Sequence, residues 1–216
     1  VPATMRDLTE YSRKAGKQVV RLAKAGITPS MIMTKEAFRN AIVVHSAIGG
    51  STNALIHLPA IAKELGIELD PELFNEINRK IPHIGNVNPS GKHLTESFWF
   101  AGGIPMVQIM LKDHLDLDVL TVTGKTLGEN LEEIQRDGFF ERNIGYLHNY
   151  GLEREDVITP VETTKEMGSI AVLKGNLAPE GAVVKYSACE ESMRKHQGKA
   201  VVFNCEEDAH DAVVEG

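Results

Sequence analysis

The sequence predicts an α/β protein that is helix-rich through about its first 150 residues and β-rich after them. Three observations carry this reading. Apolar residues recur at three- and four-residue spacing in six segments, which is the helical period. The stretch LDLDVLTV supplies one strand between Leu117 and Val122, closed by a turn at Gly124 and followed by another helical segment, the order of an α/β unit. Beyond about Met167 the pattern changes to short apolar runs separated by turn residues.

Taken in order, the helical segments are 4–26, 35–48, 52–65, 71–80, 95–112 and 126–137. Several starts are signposted. Thr34 stands before the second, Asp70 precedes Pro71 at a first helical position, and Thr95 opens the fifth. From Glu132 to Asp156, the aromatics Phe139, Phe140, Tyr146 and Tyr150 predict an amphipathic helix packed on the domain or on another subunit. The β-rich part offers SIAVL at 169–173, a turn from Gly175 to Gly181, AVVKYS at 182–187 and KAVVF at 199–203. An acidic helix follows in CEEDAHDAVVEG, where Glu206, Glu207 and Asp208 suit the positive end of a helix dipole. So few strands are not enough for an independent sheet domain, so the chain is expected to be cut short at its C-terminal end.

Composition excludes several function classes. With 216 residues, 42% hydrophobic and 25% charged, the chain can bury a sizeable core as one large domain or two small ones. A net charge of −7 argues against a nucleic-acid surface. The longest apolar runs, such as Ile104 to Leu111, fall far short of the roughly 20 residues a membrane helix needs. Residues 1–20 carry charges throughout and no apolar signal core. Cys189 and Cys205 make neither a disulfide framework nor a Cys-x-x-Cys metal site, and the expected compartment is the reducing cytoplasm.

Several stretches invite chemistry. TVTGKT at 121–126 ends in Gly-Lys-Thr, but a phosphate-binding loop needs a glycine five residues before Gly124, where Val119 stands, so a plain strand-to-helix turn is expected. The eight histidines are scattered, with no His-x-x-x-His pair on one face, and no metal ligands are assigned. SAIGGSTNALIHL, from Ser46 to Leu58, is richer. If one helix ends at Gly49-Gly50 and another starts with Ser51 or Thr52 as its cap, its first backbone N–H groups are free to seat a carboxylate or phosphate. Asn53 and the hydroxyls of Ser51 and Thr52 could also hold sugar-like hydroxyls. The competing reading is a glycine joint, capped by serine, that opens a core helix. NPSGKHL at 88–94 is a polar loop whose Ser90, Lys92 and His93 could hold an anion or simply be solvated.

Four longer blocks occur in order: MTKEAFRNAIVVHSAIGGSTNALIHLPAIAKELGIEL, NRKIPHIGNVNPSGKHLTESFWFAGGIPMVQIML, LTVTGKTLGENLEE and GSIAVLKGNLAPEGAVVKYSA. Together they closely resemble the dihydroxy-acid and sugar-acid dehydratase family, across nearly the whole chain. The resemblance implies a hydro-lyase that removes water from a 2,3-dihydroxy acid to give a 2-keto acid. It also implies an iron–sulfur cluster on the leaving hydroxyl, magnesium on the substrate carboxylate and a serine base. In the family the cluster cysteines and the magnesium lysine lie upstream of the block that begins near Val1, and the serine base lies beyond Gly216. The resemblance therefore implies an internal piece of a longer enzyme. Residues 1–160 would be the later part of an α/β/α domain, and 161–216 the first strands of a β-barrel-like domain. Alone, this piece is expected to bind neither cofactor and to be inactive, with no catalytic or metal-ligating residue of its own. The substrate-pocket candidates are Gly50, Ser51, Thr52, Asn53, His57, Ser90 and Lys92. The full-length family implies a small dihydroxy-acid substrate, a homodimer or homotetramer, and no nucleic-acid or membrane partner. The alternative is a naturally truncated, non-catalytic binding or assembly module.

Overall fold

A computed structural model of the chain describes residues 1–164 and 167–215. Its helices are α1 (Asp7–Lys24), α2 (Pro29–Ile32), α3 (Lys35–Ile48), α4 (Ala54–Glu64), α5 (Pro71–Asn78), α6 (Thr95–Phe100), α7 (Gly103–Met110), α8 (Leu127–Arg136), α9 (Phe139–His148) and α10 (Arg154–Val157). A hairpin of β1 (Ala171–Gly175) and β2 (Ala178–Val184) follows, and α11 (Glu206–Glu215) comes last. The molecule is thus helix-rich with a small antiparallel sheet toward its C-terminal end, compatible with the α/β class the sequence predicts.

The core is built around α3. Ile42, Val43 and Ala47 are wholly buried there, against Phe74 and Ile77 of α5, Phe98 and Phe100 of α6, Val107 of α7 and Leu147 of α9. Each of these side chains larger than alanine contributes about 1.5–3 kcal/mol by leaving water. The ends of α3 are fixed chemically. The Thr34 hydroxyl accepts from Ala37 N at 3.3 Å, and Gly49 closes the other end in the left-handed region at φ 65°. The carboxylate of Asp70 accepts from Glu72 N at 2.8 Å to start α5, with Pro71 in its first turn. A capping box between Thr126 and Glu129 starts α8.

Five sequence expectations change. The helix expected over 95–112 is two helices, because Gly102 at φ 114° turns the chain between α6 and α7. The strand expected at 117–122 is a loop folded against the helix after it: Leu127 N donates to Val119 O and Gly128 N to Leu117 O, so the start of α8 takes the carbonyls a neighbouring strand would use. The turn expected from Gly175 to Gly181 shrinks to Asn176-Leu177, and the residues around it pair as Gly175 with Ala178 and Leu173 with Ala182. KAVVF at 199–203 has no regular structure, and Val201 and Val202 lie exposed with no strand beside them among the described residues. The segment from Glu132 to Asp156 is broken at Gly138, φ 76°, between α8 and α9, and again before α10, while its aromatics pack on the domain. Phe139 and Phe140 are buried, while Tyr146 and Tyr150 lie 5.4 and 6.0 Å from the Phe100 ring.

The hairpin docks on α5 through two asparagines. The Asn75 carboxamide exchanges both bonds with Val172, accepting from its N–H at 2.8 Å and donating to its carbonyl at 2.9 Å. One turn on, Asn78 Oδ1 accepts from Ser169 N at 2.8 Å and Ile170 N at 3.1 Å. A helix face carrying asparagines three residues apart thus serves as the edge of a strand.

Candidate functional site

Three separate parts of the chain meet where α3 ends. The turn after α3 is tight because Gly50 N donates back to His45 O at 3.0 Å. The His45 ring then lies beneath Gly50, so closely that a Cβ there would overlap it. His45 Nε2 reaches Ser51 O at 2.8 Å. Because a carbonyl only accepts, this nitrogen carries the proton of a neutral ring. Burial pushes the His45 pKa below its ordinary 6.5, the bond to Ser51 opposes this less strongly, and Lys185 nearby adds a smaller push downward.

The second part is the loop after α5. Ile84 N and Gly85 N both donate to Ala47 O, at 2.8 and 3.0 Å, which joins the loop to the last turn of α3. A Cβ on Gly49 would sit 2.9 Å from His83 Nε2 and 3.2 Å from Ser90 Oγ, so only glycine leaves these two side chains where they are. The third part is the strand end after β2. Lys185 Nζ donates to Gly49 O at 2.7 Å, placing an ammonium at the negative end of the α3 dipole. Its partial burial lowers its pKa. Ser187 Oγ lies 2.7 Å from Ser90 Oγ and also donates to Ser169 O at 3.3 Å. Beside this junction a concavity of about 450 Å³ is lined by His83, Asn86, Ser90, Thr159, Thr163 and Thr164. Thr163 and Thr164 donate their hydroxyl protons to Pro160 O and His83 O, and the Asn86 amide is bonded at both ends, so this lining offers a ligand mainly oxygen lone pairs.

These distances bring some of the sequence candidates together and leave others apart. Gly50 and Ser90 both belong to the junction. Ser51, Asn53 and His57 are exposed, Thr52 is half-buried, and Lys92 is exposed with its backbone N–H on Asn86 Oδ1 at 3.0 Å. The expected anion seat at the start of α4 is not open. Asn53 N donates to Ser51 Oγ, Ala54 N to Ser51 O, Leu55 N to Thr52 O, and Ile56 N and His57 N to Asn53 O. A tight turn before the helix consumes the groups the expectation had left free. His45, His83, Lys185 and Ser187 are the participants the sequence reading missed. The one available signal was Lys185, a lone cation closing the apolar run AVV.

Comparison with known proteins now bears on this geometry. Residues 1–130 match the family model described as dihydroxy-acid/6-phosphogluconate dehydratase N-terminal, and residues 156–216 match its C-terminal counterpart. The chain belongs to this dehydratase family. Among its relatives, the dihydroxy-acid dehydratase of Halothermothrix orenii is 43% identical over 219 aligned positions, which take in 100% of this chain and 37% of the relative. That of Methanothermobacter thermautotrophicus is 40% identical, over 96% of this chain and 35% of the relative. That of Methanosarcina barkeri is 42% identical, over 95% of this chain and 35% of the relative. The chain therefore spans little more than a third of the length of these curated relatives. In this member of the family the junction links the two matched regions, since Gly49 and Ser90 lie in the first and Lys185 and Ser187 in the second.

Proposed function

We propose that this chain is part of a hydro-lyase that removes water from a 2,3-dihydroxy acid to give a 2-keto acid, and that the Gly49–Gly50 turn with Ser90 forms one wall of its substrate pocket. The observation that carries the reading is the likeness to relatives named dihydroxy-acid dehydratase, which runs through both matched regions. Convergence of Ser90, Ser187 and Lys185 on one turn gives the wall its chemistry. Hydroxyls hold ligand hydroxyls, and the ammonium supplies positive charge toward an acid. The neutral His45 ring holds the Ser51 carbonyl and so keeps the turn in shape. We assign residues 1–160 to the α/β domain and 161–216 to the start of the second domain, in keeping with family matches that stop at 130 and resume at 156.

The family implies an iron–sulfur cluster and magnesium. Among the described residues no three His, Cys, Asp or Glu side chains are grouped to hold a metal ion. Cys205 is exposed and Cys189 bonds to a neighbouring carbonyl. These residues do not fit either group, and no step is derived through them. We assign both cofactors to parts of the whole protein outside this chain, and we take the chain by itself to be inactive. We infer that the whole protein works in the cytoplasm as a homo-oligomer acting on a small acid. Two free thiols, as a reducing compartment leaves them, support the cytoplasmic part of this reading.

The deciding experiment uses the full-length protein, purified without oxygen and supplied with iron, sulfide and magnesium. It is offered a branched 2,3-dihydroxy acid and, separately, a sugar acid. A 2-keto acid from either is expected, and none from both would overturn the reading.

A further inference from the structure

Asn78 is almost fully buried and bonded on every side. Its Oδ1 accepts from Ser46 Oγ of α3 at 2.9 Å as well as from Ser169 N and Ile170 N, while its Nδ2 donates to Phe74 O at 2.7 Å. The peptide it grips continues the chain of bonds. Ser169 O accepts from Ser187 N at 3.1 Å and from Ser187 Oγ at 3.3 Å, and Ser187 Oγ meets Ser90 Oγ at 2.7 Å. Ser90 in turn faces the Gly49 turn. One uninterrupted path therefore runs from a core asparagine, through a single peptide unit, to the hydroxyl pair at the site. Asn75 anchors the hairpin at Val172, which pairs with Val183 of β2, and so holds the strand that leads toward Lys185 rather than the Ser169 carbonyl.

We propose that Asn78 is a positioning residue which, through the Ser169 peptide, holds Ser187 against Ser90 and so sets the shape of the substrate wall. This rests on the reading of the Gly49–Ser90 junction as that wall. Removing the carboxamide leaves the Ser169 and Ile170 N–H groups without their acceptor, frees the Ser169 carbonyl to shift, and loosens the hydroxyl pair without touching the ligand.

The experiment compares wild type, Asn78→Ala, Ser187→Ala and the double variant in the full-length, cofactor-loaded protein. Each single variant is expected to raise KM about tenfold with kcat within about twofold, the size of one lost hydrogen bond acting on binding. If the two residues act through one path, the double variant is no worse than about the poorer single one. A roughly hundredfold rise, the product of two independent effects, would overturn the proposal. Amide hydrogen exchange provides a readout that does not depend on turnover. Both single variants are expected to quicken exchange in 86–93, and Asn78→Ala also in 185–189; quickening confined to α5 and 169–172 counts against the path. If Asn78→Ala fails to fold, Ser187→Ala decides, and unchanged KM and unchanged exchange at 86–93 overturn the proposal. A wild type that forms no keto acid refutes the function assigned above, while the exchange comparison still decides the path.

Discussion

A single methyl group tests the end of α3. A Cβ on Gly50 overlaps the His45 ring, and one on Gly49 combines a φ of 65° with contact to His83. Gly50→Ala and Gly49→Ala are each expected to cost about 1–3 kcal/mol, read as a lower urea midpoint. His45 gives the turn a pH dependence of definite sign. Its folded pKa lies below 6.5, so the unfolded chain takes up the proton first as pH falls. The contribution of the neutral ring is complete above about pH 6.5 and is lost as pH drops through the folded value. Wild type should therefore lose more stability between about pH 7.5 and about pH 5 than His45→Gln, whose amide can still donate to Ser51 O. Equal losses would remove His45 from the account. The same residues show how far the site could be read from sequence. The glycines and Ser90 stand out by type, whereas His45 and Lys185 acquire a role only through carbonyls whose positions the fold decides.

Among the elements, those whose ends are chemically marked were the legible ones. Thr34 and Gly49 bound α3 as the sequence predicts, and Thr126 opens α8 with a reciprocal cap. Thr126→Ala is expected to cost about 1 kcal/mol, detectable as a shifted thermal midpoint, with Glu129→Ala costing less because it removes one of the two bonds. The failures share a cause. The apolar period of 95–112 hid the Gly102 turn, because periodicity records which face is buried and not whether the backbone is continuous. The LDLDVLTV stretch and the short apolar run at 199–203 predict strands, but a strand exists only with a partner. In the first case the carbonyls go to α8, and in the second no partner strand lies alongside among the described residues. The hairpin turn was read too long because its glycines and proline are turn formers that here sit within paired strands.

At the scale of the whole molecule, burial is uneven. The middle of α3 is fully enclosed, while β2 is exposed along most of its length. Amides from Ile42 to Ala47 are expected to exchange at least about a hundredfold more slowly than those of β2, with Ser169, Ile170 and Val172 slow because asparagine side chains hold them. Uniform protection would contradict this gradient. The helix-rich class was legible because it follows from local patterns; the meeting of the two family regions was not, because it depends on bonds between residues far apart in sequence. Lys185 lies 136 residues after the Gly49 carbonyl it binds. At a synthesis rate of roughly 10 residues per second, the α3 turn waits more than about ten seconds on the ribosome for its ammonium. The helical body can collapse in that time, so the junction at the end of α3 closes late, and a nascent chain stalled before residue 185 would carry a formed core beside an open α3 turn.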